Sequence, residues 1–139
     1  RITPSLIEIE ITEGSIINNL EAAKNVLDKL KKLGIGIAID DFGTGYASLD
    51  YLKNLPCTSI KIDKSFISEI MTNEYDRSIA SFIIDLGNKL NLNVVAEGVE
   101  TKAQLDFILD SGCSSYQGYI FSKPLSNNEL FELLDKTSD

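Results

Sequence analysis

The apolar positions of this chain follow two different periods, and the change from one period to the other repeats along its length. In residues 6–12, isoleucines alternate with acidic and hydroxyl side chains, which is typical of a strand with one buried face. From Ser15 to Leu33 the apolar residues recur every three or four positions, and Gly34 follows them. The pattern therefore predicts a strand followed by a helix of about five turns.

The same change of period predicts four further strands and four further helices. The strands are residues 35–40, 58–63 and 93–97 and a short one within 115–120. The helices are 47–53, 73–90, one opened by a capping box of Thr101 and Gln104, and one opened by Ser126 and Glu129. The order is β-α-β-α-β-α-β-α-β-α, without a linker or a low-complexity segment.

Such alternation indicates a parallel sheet with crossover helices, and two α/β architectures fit it: an open doubly wound sheet, or part of a β/α barrel. In a doubly wound sheet, helices cover both faces and the central strands are apolar throughout. Here the strands "IEIEIT" and "SIKID" alternate apolar and polar residues. This favours a barrel with a polar mouth. A whole barrel needs about 250 residues, and this chain has 139.

Composition and charge exclude several classes of function. The net charge of −8 argues against binding to nucleic-acid polymers, which requires a basic face. There is no apolar run long enough to span a bilayer, so we expect no membrane contact from this segment and a cytoplasmic location. Histidine is absent, which excludes Ser-His-Asp and Cys-His catalysis and histidine-bound metals. Cys57 and Cys113 form no metal or redox motif, and we expect buried free thiols.

Polar residues at the C-terminal ends of the predicted strands are the strongest indication of function. They are Glu10, Asp40, Asp41, Lys61, Asp63, Glu97, Glu100 and Gln117. Each alone is commonly a solvent-facing strand edge, a turn or a helix cap, but strand ends of a β/α barrel converge on one mouth. A cluster of carboxylates needs cations, and oxygen ligands without His or Cys favour Mg²⁺, Mn²⁺ or Ca²⁺. The adjacent Asp40 and Asp41 suit two ions about 3.5–4 Å apart.

Five motifs, in order, resemble those of the EAL domain family of cyclic-di-GMP phosphodiesterases. They are "LIEIEITEG", "IAIDDFGTGYASLDYLKNLP", "IKIDKSFI", "VVAEGVET" and "YQGYIFSKPLS", which together extend over essentially the whole chain. The resemblance implies a modified β/α barrel with one antiparallel strand. It also implies hydrolysis of cyclic-di-GMP to linear pGpG with two Mg²⁺ or Mn²⁺ ions.

The resemblance implies roles for individual residues. Glu10 resembles a ligand of the first metal, Asp40 the ligand that bridges both ions, Asp41 and Glu97 ligands of the second, and Lys61 the lysine that holds the attacking water. Glu13 resembles the glutamate that anchors the loop 42–46, and that loop couples metal binding to dimerisation in the family. Supporting or substrate-binding roles fall to Asp63, Glu100 and Gln117.

Other parts of the family's site lie N-terminal to these motifs, namely the "EAL" glutamate, its nearby arginine and an asparagine. We therefore expect residues 1–139 to be the C-terminal half of an EAL domain in a larger signalling protein, either with or without a membrane anchor elsewhere. Gly14 stands where the family usually has serine.

Two hypotheses remain open. The chain is either half of a working phosphodiesterase, or a catalytically incomplete half-barrel that acts as a dimerisation or regulatory module. On its own it is expected to bind metal weakly, to show little or no activity, and to pair with another copy or with the missing half.

Overall fold

The structure is a computed structural model that describes residues 2–17, 20–45 and 49–137. The strands are β1 (Glu8–Thr12), β2 (Gly36–Phe42), β3 (Ser59–Ile62), β4 (Asn93–Glu97) and β5 (Ser115–Gln117). The helices are α1 (Glu13–Ile17), α2 (Leu20–Lys32), α3 (Leu49–Asn54), α4 (Lys64–Ser68), α5 (Glu74–Lys89), α6 (Lys102–Asp110) and α7 (Asn127–Thr137). A 3₁₀ turn, Pro4–Leu6, precedes β1.

The five described strands form one parallel sheet in the order β1-β2-β3-β4-β5. Each strand lies beside the one before it, so all crossovers run in the same direction. Because such crossovers are right-handed, their helices fall on one side of the sheet. A doubly wound sheet would instead reverse its order partway. The predicted α/β fold with about five β-α units, a sector of a barrel, is confirmed.

The two faces of the sheet have opposite character, as the alternation in the sequence predicts. Ile37, Ile39, Ile60 and Ile62 are fully buried and pack in a core with residues of α2, α4, α5 and α6. The alternate residues of the same strands form a second face that ends in charged side chains. The apolar face therefore stabilises the sheet against the helices and leaves the other face available for a polar site.

The described elements differ from the predicted ones mainly at the end of the second strand and in a short helix after the third strand. The second strand does not end at Asp40, because β2 continues through Asp41 to Phe42. The single helix predicted for 15–33 is described as α1 and α2, and residues 18 and 19 lie outside the described residues. The helix α4 was not predicted at all, because five residues are too few to show a helical period.

The predicted capping box of α6 is confirmed: Thr101 accepts a hydrogen bond from the Gln104 N–H, and Gln104 accepts one from the Thr101 N–H. Of the second predicted box, the half in which the Glu129 carboxylate accepts from the Ser126 N–H is present. Cys57 and Cys113 are buried free thiols, as expected, and burial raises the pKa of both. No described helix has the length and apolar character that a bilayer crossing requires.

Candidate active site

Lys61 lies at the centre of a carboxylate cluster at the C-terminal ends of the strands. Its Nζ lies 2.7 Å from Glu10 Oε1, 2.6 Å from Glu97 Oε1 and 3.4 Å from Asp40 Oδ1. The Lys61 side chain is only 8% exposed. Burial lowers its pKa, but the hydrogen bonds to Glu10 and Glu97 and the charge of Asp40 outweigh burial and raise it above the ordinary value. The lysine is therefore a permanent cation among three acids.

A bulge in β2 brings two adjacent aspartates to the same site. Between Ile39 and Phe42 the strand advances three residues while β3 advances only from Ile60 to Ile62, so β2 contains one extra residue. Asp41 adopts a φ of 53°, a left-handed conformation that costs a non-glycine residue about 1 kcal/mol. In a regular strand neighbouring side chains point to opposite faces. The bulge removes that alternation.

Asp41 and Asp63 form a hydrogen-bonded carboxyl pair whose pKa values move apart. Burial, the charge of Asp40 and the hydrogen bond with Asp63 raise the pKa of Asp41. Burial also acts to raise the pKa of Asp63, but hydrogen bonds from the Ser65 hydroxyl, the Ser65 N–H and Asp41 outweigh it and lower that pKa. Asp63 is at the same time the N-cap of α4, accepting from the Ser65 N–H at 2.9 Å.

The donor set fits a hard divalent cation. Asp40, Asp41 and Glu97 each offer a carboxylate oxygen, and these oxygens lie within 4.8 Å of one another. Burial and then the charge of Asp40 raise the pKa of Asp41, and a bound cation would offset both effects. Glu10 is not in this triad, and its carboxylate accepts a hydrogen bond from Lys61 at 2.7 Å. The structure thus brings together three of the four predicted metal ligands, and the fourth, Glu10, contacts Lys61.

A cavity of about 540 Å³ adjoins the cluster. Glu97, Glu100 and Gln117 line it, so these predicted site residues lie side by side. The cavity has further lining residues that the sequence did not single out, Lys64, Tyr119 and Lys123, with Lys123 Nζ 5.8 Å from the centre of the Tyr119 ring. They could have been predicted from their positions shortly after Asp63 and Gln117, because the loops that follow the strands surround the mouth of a β/α barrel.

Glu13 lies away from the carboxylate cluster, at the start of α1. It is 2% exposed, and neither of its carboxylate oxygens has a hydrogen-bond partner among the described residues. Gly45 approaches it so closely that a Cβ there would lie 3.0 Å from Glu13 Cδ. The glutamate therefore sits under the described part of the loop 42–46, while Tyr46 lies outside the described residues.

Comparisons with known proteins agree with this geometry. Residues 1–124 match the EAL domain family. Over 129 residues the chain is 45% identical to the bifunctional diguanylate cyclase/cyclic di-GMP phosphodiesterase MucR of Pseudomonas aeruginosa, covering 93% of this chain and 19% of MucR. Over 128 residues it is 46% identical to the cyclic di-GMP phosphodiesterase NbdA of the same organism, covering 92% and 16%. The chain thus spans less than a fifth of the length of these curated relatives.

Solved structures show the same likeness. The MucR phosphodiesterase in complex with c-di-GMP superposes with a TM-score of 0.89 at 45% identity, over 93% of this chain and 52% of that one. The manganese and cyclic-di-GMP complex of Klebsiella pneumoniae BlrP1 at pH 9.0 gives 0.82 at 32% identity, over 88% and 31%. On its sheet order, its strand-end carboxylates and these matches, the chain belongs to the EAL domain family.

Proposed function

We propose that this chain forms the C-terminal half of an EAL domain that hydrolyses cyclic-di-GMP to linear pGpG with Mg²⁺ or Mn²⁺. The observation that carries the proposal is the cluster in which Asp40, Asp41 and Glu97 converge beside Lys61. Two relatives bear the name of cyclic di-GMP phosphodiesterase, and BlrP1 has been solved with manganese and cyclic-di-GMP. These names support the substrate and the type of metal.

The carboxylates would hold the cations. By resemblance to the family, Asp40 would bridge the two ions, Asp41 and Glu97 would bind one of them, and Glu10 would bind the other. When bound, such ions supply hydroxide near neutral pH and neutralise the charge of a phosphodiester. To bind an ion, the Glu10 carboxylate would exchange its contact with Lys61 for a contact with that ion. The Glu10 side chain is 49% exposed, which leaves it room to move.

Lys61 acts as a hydrogen-bond donor. Its raised pKa keeps Nζ protonated near neutral pH, so it holds an attacking water or a phosphate oxygen by donation and does not accept a proton. The proton acceptors within reach of Nζ are the carboxylates of Glu10, Glu97 and Asp40. Asp63 supports the site by its hydrogen bond with Asp41, and Glu13 by packing under the loop that follows β2.

The adjoining cavity suits one nucleotide half of the substrate. Lys64 and Lys123 offer positive charge to a phosphate in a chain that is otherwise acidic. Tyr119 offers an aromatic face for stacking a purine base. Glu100 and Gln117 offer hydrogen-bond acceptors and donors for the base or the sugar.

The remaining β/α units of the domain, or a second copy of this chain, are the proposed partners of the open sheet. Among the described strands β1 and β5 have one neighbour each, so each carries an edge of unpaired backbone groups. The same observation supports the second candidate function, a catalytically incomplete half-barrel that acts through association. The two candidates differ in whether the parent protein turns over substrate.

The test is the intact mass of the parent polypeptide together with hydrolysis of cyclic-di-GMP in Mn²⁺, followed as pGpG. A longer parent that forms pGpG supports the enzyme. The variant Lys61→Met should lose activity by about 100-fold or more. Lys89→Met is the matched control, because Lys89 forms an exposed pair with Asp85, and it should remain active. A parent that forms no product in Mn²⁺ or Mg²⁺ would overturn the enzyme and favour the association module.

A further inference from the structure

Gln104 makes more hydrogen bonds than its capping role requires. Its Oε1 accepts from the N–H groups of Glu100 and Thr101, both at 2.9 Å, which closes the capping box. Its Nε2 donates to the carbonyl oxygens of Ile67 at 3.1 Å and Ser68 at 3.3 Å, in the last turn of α4. The residue is 6% exposed. One buried amide therefore joins the start of α6 to the end of α4.

The two segments joined by Gln104 carry opposite sides of the metal-binding cluster. Glu97 is the last residue of β4, and the loop that joins β4 to α6 begins directly after it and contains Glu100. The helix α4 begins at its N-cap Asp63, which is hydrogen-bonded to Asp41. Any sliding of α4 against the loop would change the separation of Glu97 from Asp41. Gln104 connects α4 to the loop by hydrogen bonds to both.

Neighbouring residues show how closely that loop is packed. Gly98 has a φ of 70°, and a Cβ there would lie 2.7 Å from Lys64 Cβ, at the first residue of α4. A Cβ on Gly118 would lie 2.0 Å from the Val99 carbonyl oxygen. These glycines permit the close approach of loop, helix and β5, but only a directional contact fixes their register. The Gln104 amide provides one.

The identity of the side chain points the same way. A capping box accepts glutamate or glutamine equally, because only the carbonyl or carboxylate oxygen is used. Only the amide can in addition donate to the carbonyl oxygens at the C-terminal end of α4, where Ile67 O also accepts from the Ile70 N–H. Glutamine at this position therefore serves the contact with α4 and not the cap alone.

We propose that Gln104 is a positioning residue that holds Glu97 against the Asp40–Asp41 pair at the separation a divalent cation requires. The identity of the cation rests on the function proposed above, but the connection between α4 and the loop does not. Residues that orient metal ligands from behind typically contribute about 10- to 100-fold to metal affinity.

The test compares three variants by Mn²⁺ binding in electron paramagnetic resonance titrations of the full chain. Gln104→Glu keeps the cap and loses the donor to α4, Gln104→Met loses both, and Thr101→Ala loses only the cap. We expect both Gln104 variants to bind Mn²⁺ about tenfold more weakly and Thr101→Ala to bind like the wild type. An added negative charge should by itself strengthen cation binding, so weaker binding by Gln104→Glu would indicate displacement and not electrostatics.

Amide hydrogen exchange of residues 97–100 without metal separates this inference from the proposed function. Faster exchange in both Gln104 variants and not in Thr101→Ala supports the positioning role. Wild-type exchange and wild-type Mn²⁺ affinity in Gln104→Glu would overturn it, whether or not the parent hydrolyses cyclic-di-GMP. If the wild-type chain binds too little Mn²⁺ to titrate, as expected of half of a metal site, the exchange measurement alone decides the positioning role, and turnover by the parent decides the proposed function.

Discussion

The charge of one buried lysine allows three acidic side chains to lie together. Replacing Lys61 by methionine leaves Glu10, Asp40 and Glu97 facing one another without a cation. We expect Lys61→Met to lower the free energy of unfolding in EDTA by about 1–2 kcal/mol, less than the loss for a fully buried ion pair because the three acids are partly exposed. Urea unfolding measures this, with Lys89→Met as the control, expected within about 0.5 kcal/mol because its ion pair is exposed.

The same variant should respond to metal more than the wild type does. Mn²⁺ replaces the missing positive charge, so its addition should restore a larger part of the stability of Lys61→Met than it adds to the wild type. Equal losses for Lys61→Met and Lys89→Met, or no response to Mn²⁺, would contradict the view that this lysine neutralises the cluster.

Asp41 should destabilise the metal-free protein at neutral pH. Its pKa is raised in the folded state, so the folded protein binds its proton more tightly and stability falls as pH rises through that folded pKa. Asp41→Asn removes the charge, can still donate to Asp63, and tolerates the positive φ. Thermal unfolding in EDTA should therefore give a higher Tm for Asp41→Asn than for the wild type at pH 7.

That gain should shrink as pH falls through the raised pKa of Asp41, because the wild-type carboxyl then takes up its proton. Asp63 has a lowered pKa and the opposite sign: its contribution is present above its unfolded pKa and is lost as pH falls through its folded pKa. Because Asp63 is unchanged in both proteins, the difference between their melting curves isolates Asp41. A Tm difference that stays constant with pH would rule out the electrostatic origin.

Single residues also show where sequence reasoning succeeds. Lys61 and Glu97 could be placed together because they stand at the ends of parallel strands, and those ends share one edge of the sheet. The conformation of Asp41 could not be predicted. Its φ of 53° depends on a bulge in β2 against β3, and the two strands are distant in sequence. A glycine at this position would have predicted a positive φ, but an aspartate does not.

At the scale of elements, one residue of the short helix α4 has two roles: Asp63 is the N-cap of the helix and also neighbours Asp41 in the site. Asp63→Ala removes the N-cap and should lower the free energy of unfolding by about 1 kcal/mol, whereas Asp63→Asn keeps an acceptor for the Ser65 N–H and should cost much less. Both should weaken Mn²⁺ binding, because both remove the charge beside Asp41. Asn73→Ala, which uncaps α5, is the control: it should cost similar stability and leave Mn²⁺ affinity unchanged.

A second element-scale prediction concerns the packing of β5 on the loop after β4. Gly118→Ala places a Cβ 2.0 Å from a backbone oxygen of Val99, so the backbone must shift. We expect a loss of at least about 2 kcal/mol, measured by urea unfolding, with weaker Mn²⁺ binding because this loop directly follows Glu97. Gly14→Ala, in α1 with no atom within 4 Å, should instead stabilise by about 0.5–1 kcal/mol. A tolerated Gly118→Ala would show that the loop is more adaptable than it appears.

At the scale of the whole molecule, one property of the sequence predicted the architecture: its strands have a polar face. Alternation in β1 and β3 favoured a barrel over a doubly wound sheet, and the consecutive strand order confirms the choice. The pattern of apolar and polar residues could not predict what covers the two edge strands of the sheet. Strand edges and apolar helix faces look the same in the sequence whether a neighbour covers them or solvent does.

Those edge strands give the last prediction, that the 139-residue chain on its own self-associates. The outer edges of β1 and β5 are unpaired among the described strands, and α7 exposes Leu130 by 44% and Phe131 by 66%. Sedimentation velocity over a range of concentrations should show a rising average mass. Replacing Leu130 and Phe131 together by serine should reduce it, whereas Leu33→Ser, a single exposed leucine on another helix end, should not. A concentration-independent monomer would mean that this sector of the barrel is stable with its edges open.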